Sequence, residues 1–232
     1  VLHEENARIK RPPASMIKLM LMLMVVEGYE RGAWRPETEI PVSEHAQRMG
    51  GTQVYLEAGE TWPLEHLMRA IAVASANDAA MAVAEGLWGS EENYLEAANA
   101  RAAALGMKDT AIAGVHGLPP DPGGDFDMTT AHDMALLALA CIEKPRIMAL
   151  VQQKELQFRP KDATKYNTNK LLWRMADADG LKTGYIRAAG FCIAATAARH
   201  GRRLLCVVMG HPSKSGRFQL AEDTFERFLD HY

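Results

Sequence analysis

Eight consecutive apolar positions, Leu19 to Val26, stand between the charged residues Lys18 and Glu27. A helix that is apolar on every side is one that a core surrounds. Pro12-Pro13 fixes an extended entry and Gly32 supplies a stop signal, so the run predicts a long helix from Ser15 to Arg31. It is about half the ~20 residues that a membrane span requires, and no membrane segment is expected.

Residues 36–63 alternate only weakly and are broken by Gly50-Gly51, Gly59 and proline, which predicts loops with short strands such as Thr52–Leu56. From Leu64 to Leu87 apolar positions recur at helical spacing, but Ser75-Ala76-Asn77-Asp78 interrupts them, giving a helix–turn–helix with a polar junction. Helix patterns resume at Glu91–Leu105, closed by Gly106, and at Thr130–Ile142, where Thr130 and Asp133 resemble a capping box with Asp in place of Glu.

After Pro145 the period changes from helical to alternating. Lys154–Phe158, Gly180–Tyr185, Gly190–Arg199 and Arg202–Gly210 read as strands, the last two joined by a tight turn at His200-Gly201. Phe218–Leu229 closes the chain as an amphipathic helix. The order predicts an α+β fold in one domain over 1–232. A sheet lobe, about 1–35 and 145–232, carries an antiparallel sheet flanked by helices, and about 36–144 form an all-helical lobe.

With 232 residues and 48% hydrophobic content, the chain can bury a full core. A net charge of −3 with mixed signs, and basic runs no longer than pairs such as Arg202-Arg203, argue against nucleic acid. The chain opens at Val1-Leu2-His3 with neither an initiator Met nor a signal-peptide pattern. It therefore reads as processed or trimmed, and its compartment is not legible from targeting. Cys141, Cys192 and Cys206 have no metal spacing and are expected to be buried free thiols. A turn at His200-Gly201 would set Cys192 opposite Met209 and Cys206 opposite Ala195, on different faces of the sheet, so those two should not pair. The eight histidines form no H-E-x-x-H cluster, and neither metal nor cofactor is expected.

Candidate chemistry starts at Ser15-Met16-Ile17-Lys18. Positions i and i+3 of a helix share a face, which lets the Lys18 amine reach the Ser15 hydroxyl as a base reaches a nucleophile. A serine beside proline at a helix start is also a common N-cap, and S-x-x-K alone is weak. The junction is equally double: Asn77 or Asp78 can cap the second helix, or Ser75 and Asn77 can face a cleft together. His116, in Gly114–Pro120, and the glycine-rich loop Asp121–Asp127 border that cleft, although a lone loop histidine is more often structural. Gly184 leaves room for something to approach its backbone.

Ser15-Met16-Ile17-Lys18, Ser75-Ala76-Asn77 and Lys182-Thr183-Gly184 follow one another at about 60 and then about 107 residues, and together they resemble the S-x-x-K, S-D-N and K-T-G set of penicillin-interacting enzymes. Further segments carry the likeness: Pro13-Ala14-Ser15, Asn77-Asp78-Ala79, Leu105-Gly106-Met107, His116-Gly117-Leu118, Thr130-Ala131, Asn167-Thr168-Asn169, Asp179-Gly180-Leu181 and the closing hairpin. Nearly the whole chain is similar to the low-molecular-mass penicillin-binding proteins, the D-alanyl-D-alanine carboxypeptidases of peptidase family S11. That resemblance implies the penicillin-binding transpeptidase-like, or serine β-lactamase-like, fold and a single catalytic domain.

The likeness has departures. The family usually begins with a strand before S-x-x-K, and only Val1-Leu2 could remain of it, so an edge strand of the sheet is expected to be missing. The position after the K-T-G-aromatic unit, commonly threonine, is Ile186, and the basic residue some members carry between the two asparagines is Thr168; both changes remove polar groups near the site. The β-sandwich domain and amphipathic anchor helix of many members have no counterpart here.

By the same resemblance, Ser15 is the nucleophile and Lys18, made neutral by burial opposite Lys182, is its base. Ser75 bridges Lys18 and Lys182 and relays a proton to the leaving D-alanine, while Asn77 orients Lys18 and the substrate amide. The backbone N–H groups of Ser15 and Tyr185 form the oxyanion hole. Lys182, Thr183, Gly184 and Arg217 hold the substrate and its terminal carboxylate, with His116 as a further contact. Arg217 could instead pair with Glu222 or Asp223. The function implied is that of a serine-type D-Ala-D-Ala carboxypeptidase acting on peptidoglycan stem peptides outside the cytoplasm, in the periplasm or on the wall side of the membrane, and acylated by β-lactams. The alternatives are a DD-endopeptidase of cross-links, a class A β-lactamase, against which stands the lack of any E-x-x-x-N element, and a wall-binding scaffold, against which stands the presence of Ser15, Lys18 and Lys182.

Overall fold

Helix α1 (Lys18–Glu30) is buried without a gap from Lys18 to Val26, as its all-round apolar sequence demands. A 3-10 turn, Ala14–Ile17, precedes it in this computed structural model, which describes residues 1–120 and 122–229. The predicted helix thus begins as a tighter turn, with Ala14 in the left-handed region at φ 49°. Asp121, the first residue of the glycine-rich loop named above, lies outside the described residues.

The chain continues through β1 (Glu39–Pro41), the short α2 (Glu44–Gln47) and β2 (Thr61–Pro63), which pairs antiparallel with β1. The strand expected at Thr52–Leu56 is absent. The N–H groups of Val54 and Leu56 go to the Asp78 carboxylate, at 3.1 and 3.0 Å, so a side chain takes the bonds that a partner strand would have taken.

Helices α3 (Leu64–Val73) and α4 (Asn77–Trp88) flank the polar junction as the pattern required. Neither Asn77 nor Asp78 is the N-cap of α4; Ala76 is. After α5 (Glu91–Ala104), α6 (Ala131–Ile142) starts on Thr130, whose Oγ1 accepts from Asp133 N at 3.1 Å. That is half of the capping box. The short Asp133 carboxylate accepts instead from Asp109 N and Thr110 Oγ1, tying α6 to the preceding loop. Helix α7 (Pro145–Val151) was not foreseen, although proline at its first position is a start signal.

Of the strand expected over Lys154–Phe158 only β3 (Glu155–Leu156) forms, paired with β4 (Lys165–Tyr166). Helix α8 (Leu171–Arg174) then leads to β5 (Ala178–Ile186), β6 (Gly190–Arg199) and β7 (Arg202–His211), an antiparallel sheet in that order, with α9 (Gly216–Leu229) packed on it. β6 and β7 close through His200-Gly201, and Cys206 faces Ala195 as the two-residue turn dictates. Cys192 falls at a register shift between Phe191 and Ile193, so it has no direct partner in β7. It packs in the main core while Cys206 packs in a second cluster under α9, and both thiols are free.

That main core joins α1, α3, α4, α5, α6, α7 and the inner face of β5 and β6: helices α4 to α7 surround α1, and the sheet packs on α6, α7 and the 3-10 turn that leads into α1. The site forms where the N-terminal end of α1, the α3–α4 junction and β5 meet. Among the described residues no helix is long and apolar enough to cross a membrane.

Candidate active site

The 3-10 turn and the first turn of α1 place Lys18 Nζ 3.0 Å from Ser15 Oγ. Lys18 is fully buried, and its other two contacts are acceptors, Asn77 Oδ1 at 2.6 Å and the His116 carbonyl oxygen at 2.8 Å. A neutral amine has two N–H groups and one lone pair. Asn77 and His116 match the two N–H groups, which leaves the lone pair for the Ser15 proton. Burial holds Lys18 well below the ordinary lysine range and the neighbouring Lys182 lowers it further, while Asp127 and Asp78 act in the opposite sense.

Asn77 is held by its own environment: Nδ2 donates to Gly50 O at 2.7 Å, and its backbone N donates to Thr52 O at 2.7 Å. Gly51, at φ 73°, lies so close that a Cβ there would sit 2.7 Å from Asn77 Nδ2. The Gly50-Gly51 break is therefore the mould for the Asn77 side chain.

Lys182 enters from β5 and donates to Ser75 Oγ at 2.8 Å and to Thr183 O at 3.2 Å. Ser75 was expected to bridge both lysines. It meets Lys182, whereas the three hydrogen bonds of Lys18 go to Ser15, Asn77 and His116. Ser75 adopts φ 60°, the turn that lets α3 and α4 diverge around it. Burial, then the Arg217 charge, brings Lys182 from 10.5 down to about 7.

His116 lies at the site through its backbone. Its Nδ1 accepts from Leu118 N at 3.1 Å, and burial and Lys18 push the ring down to about 4, so the imidazole is neutral. Gly184 does permit a close approach, by the nucleophile segment itself: a Cβ there would lie 2.5 Å from Pro13 O and 3.2 Å from Ser15 N. Beside it Tyr185 is exposed and stacked on Phe191 at 4.2 Å between centroids. Thr183 Oγ1 donates to Thr168 Oγ1 at 2.7 Å.

Arg217 pairs with neither Glu222 nor Asp223. It is buried, with Nη1 donating to Gly184 O at 2.8 Å and Cys192 O at 2.9 Å, and it lies over the Phe218 ring. Glu222 is taken by Arg174. The asparagine pair proves to be scaffolding: Asn167 Nδ2 bonds Val151 O and Gln153 O, and Asn169 Nδ2 bonds Gly180 O, bracing the entry to β5. Sequence reasoning missed Asp127, Gly117 and the His116 carbonyl. Only the glycine gave a signal.

Two buried lysines in one site, each on its own serine, carry a stability cost. The folded-state value of Lys182, about 7, lies below its ordinary 10.5. The unfolded chain therefore binds the extra proton between those two values, and this group's contribution to stability rises with pH across that window. Lys182→Met is expected to raise the melting temperature at pH 7 while slowing acylation by a β-lactam about a hundredfold, the thermal gain shrinking toward pH 10. Melting curves of both proteins at the two pH values test this; no gain at pH 7 would refute it.

The arrangement fits acyl transfer, with a serine, a neutralisable amine on it, and a second lysine and serine across the gap. Comparison with known proteins agrees. The family model described as D-alanyl-D-alanine carboxypeptidase, Peptidase S11, matches residues 1–213. The chain is 35% identical over 213 residues to the D-alanyl-D-alanine carboxypeptidase DacF of Bacillus subtilis (strain 168), an alignment covering 90% of this chain and 54% of that one. It thus spans about half the length of the curated relatives it matches. Among solved structures, the D-alanyl-D-alanine carboxypeptidase DacD from Francisella tularensis superposes with a TM-score of 0.91 at 29% identity, covering 97% of this chain and 66% of that one. Penicillin-binding protein D2 from Listeria monocytogenes, in its ampicillin-bound form, gives 0.86 at 29% identity, covering 97% and 90%. The fold is the serine β-lactamase-like fold of the penicillin-binding proteins, and the chain belongs to the peptidase S11 family of D-alanyl-D-alanine carboxypeptidases.

Proposed function

We propose that this chain is the catalytic domain of a serine-type D-Ala-D-Ala carboxypeptidase that trims peptidoglycan stem peptides through an acyl-enzyme at Ser15. The observation that carries the reading is the buried Lys18 amine, 3.0 Å from Ser15 Oγ and with both other contacts being acceptors. Lys18 takes the Ser15 proton as Oγ attacks the carbonyl of the penultimate D-alanine. The N–H groups of Ser15 and Tyr185 receive the oxyanion, where one such donor is worth about 3–4 kcal/mol. Ser75 gives its proton to the departing amine and takes one from Lys182. In deacylation water adds to the acyl carbonyl, its proton passes through Ser75 to the now neutral Lys182, and Ser15 leaves with the proton held by Lys18.

Lys182, Thr183 and Gly184 offer the strand edge and the cation that a free carboxylate needs. Arg217 supports them from beneath, since its Nη1 is committed to Gly184 O and Cys192 O, and adds positive charge under the carboxylate. His116 walls the pocket with its carbonyl. The chain acts as a single domain, a sheet lobe over about 1–35 and 145–232 and a helical lobe over about 36–144, because each contributes part of one site. A peptidoglycan substrate places the activity on the wall side of the cytoplasmic membrane. The Listeria relative holds ampicillin and, in a second structure, cefotaxime, which supports β-lactams as covalent inhibitors here.

Two measurements test the proposal. Mass spectrometry after incubation with a penicillin is expected to show one adduct, on the peptide carrying Ser15. Fragment analysis of digested peptidoglycan is expected to show pentapeptide stems shortened to tetrapeptides. Loss of cross-linked dimers with pentapeptides untouched would replace the carboxypeptidase with a DD-endopeptidase, and rapid penicillin turnover without an adduct would replace it with a β-lactamase.

A further inference from the structure

Three successive backbone N–H groups lead up to the carbonyl that meets Lys18, and two carboxylates hold them. Asp127 Oδ1 accepts from Ala113 N at 2.8 Å and from Gly114 N at 2.9 Å, and Glu91 Oε1 accepts from Val115 N at 3.4 Å. The next residue is His116, whose carbonyl oxygen receives Lys18 Nζ at 2.8 Å. Asp127 is buried, and its own position is set by the bridges Ala111↔Met128 and Arg11↔Thr129 on its C-terminal side. The anchor is thus fixed by contacts other than those it makes to the 113–114 backbone.

We infer that Asp127 is a positioning residue for the Ser15–Lys18 pair: its carboxylate fixes the segment that presents the His116 carbonyl to Lys18, and its negative charge acts on the Lys18 amine. The inference rests on the reading of Lys18 as base.

The two effects have opposite signs. As an anchor Asp127 aids the base, by holding an acceptor for one of its two N–H groups. As a charge it favours the ammonium form of Lys18 and so holds the base back. The groups facing Asp127 are Lys18 from α1 and Glu91 and Tyr94 from α5. Glu91 in turn faces Glu92 on its own helix, His45 from α2 and Glu85 from α4. Burial and Glu91 push the Asp127 carboxyl up to about 6, against its two N–H bonds and Lys18, so above that pH it carries the charge that Lys18 senses. An aspartate that merely stabilised the loop would change folding and leave the titration of Lys18 where it was.

Asp127→Asn keeps an oxygen for Ala113 and Gly114 and removes the charge, whereas Asp127→Ala removes both. Acylation by a fluorescent penicillin is followed from about pH 5 to about pH 9, and Lys18 is titrated by NMR of protein carrying 13C at the lysine ε carbon. Asp127→Ala is expected to acylate about tenfold more slowly, or worse, at every pH. Asp127→Asn is expected to stay within about threefold of wild type on the alkaline plateau, with its acid limb and its Lys18 midpoint both moved to lower pH by about half a unit or more.

An unmoved Lys18 midpoint in Asp127→Asn overturns the inference, and so does Asp127→Ala acylating at the wild-type rate. If Asp127→Ala does not fold, the Asn variant and the midpoint decide. If the wild-type protein takes up no penicillin, the proposed function fails, and the midpoint, which needs no penicillin, still decides this inference.

Discussion

Lys18→Met is expected to slow acylation of Ser15 by a penicillin about a thousandfold or more, with the fold retained. The residue is wholly buried, so a substitution must fill its space, and methionine matches the length and apolar stem of lysine without its charge. Two acceptors, Asn77 Oδ1 and His116 O, lose a donor, which costs about 1–3 kcal/mol each where no water replaces it. Against that, the variant removes a buried amine whose charged form is disfavoured by desolvation and by Lys182. The two terms offset, so melting curves should stay near those of the wild type. The wild-type acylation rate should fall as pH drops through the lowered Lys18 value, because the protonated amine has no lone pair for the serine. In Lys18→Met the residual rate should lose that limb. Wild-type labelling by Lys18→Met near neutral pH would remove Lys18 from the role of base and leave Lys182–Ser75 as the activating pair.

What could be read from the sequence was chemistry tied to side chains at local spacing. Ser15 and Lys18 stand three apart, and any helical turn brings them together, so the 3-10 start of the segment changed nothing that matters for the pair. Ser75 and Asn77 showed themselves as polar residues in an apolar run. Lys182 needed the resemblance, since one lysine in a strand is otherwise unremarked.

The residues that could not be read are those whose function is carried by backbone or by a distant partner. The His116 carbonyl belongs to a group that every residue has, and the ring suggested a contact that the oxygen makes. Asp78 erased an expected strand by reaching Val54 and Leu56, more than twenty positions away. Arg217 had acidic residues on its own helix but off its own face, and, buried against the sheet, it donates to a carbonyl of β5 and one of β6 while Glu222 goes to Arg174. Burial of a polar group creates a demand that only the folded chain can assign.

Gly117→Ala is expected to lower acylation about a hundredfold, and it separates a positional effect from simple backbone strain. Gly117 lies at φ 76°, where a side chain costs roughly 1–2 kcal/mol. A Cβ there would also run into the carbonyl group of Ala14, the residue before the nucleophile. Backbone meets backbone at that point, so no side-chain rotation relieves it, and either the 113–118 loop or the 3-10 turn must shift. Both carry the site: the loop holds His116 O on Lys18, and the turn holds Ser15. A displacement of about 1 Å in either is enough for a loss of that order. Gly123 provides the control, at φ 90° with no atom within 4 Å of an added Cβ. Gly123→Ala bears the conformational cost alone and should acylate near the wild-type rate with a melting temperature lowered by a few degrees. Penicillin labelling rates and melting curves of the two variants, side by side, decide the matter. Equal labelling by both would mean that the approach of Gly117 to Ala14 does not position the nucleophile.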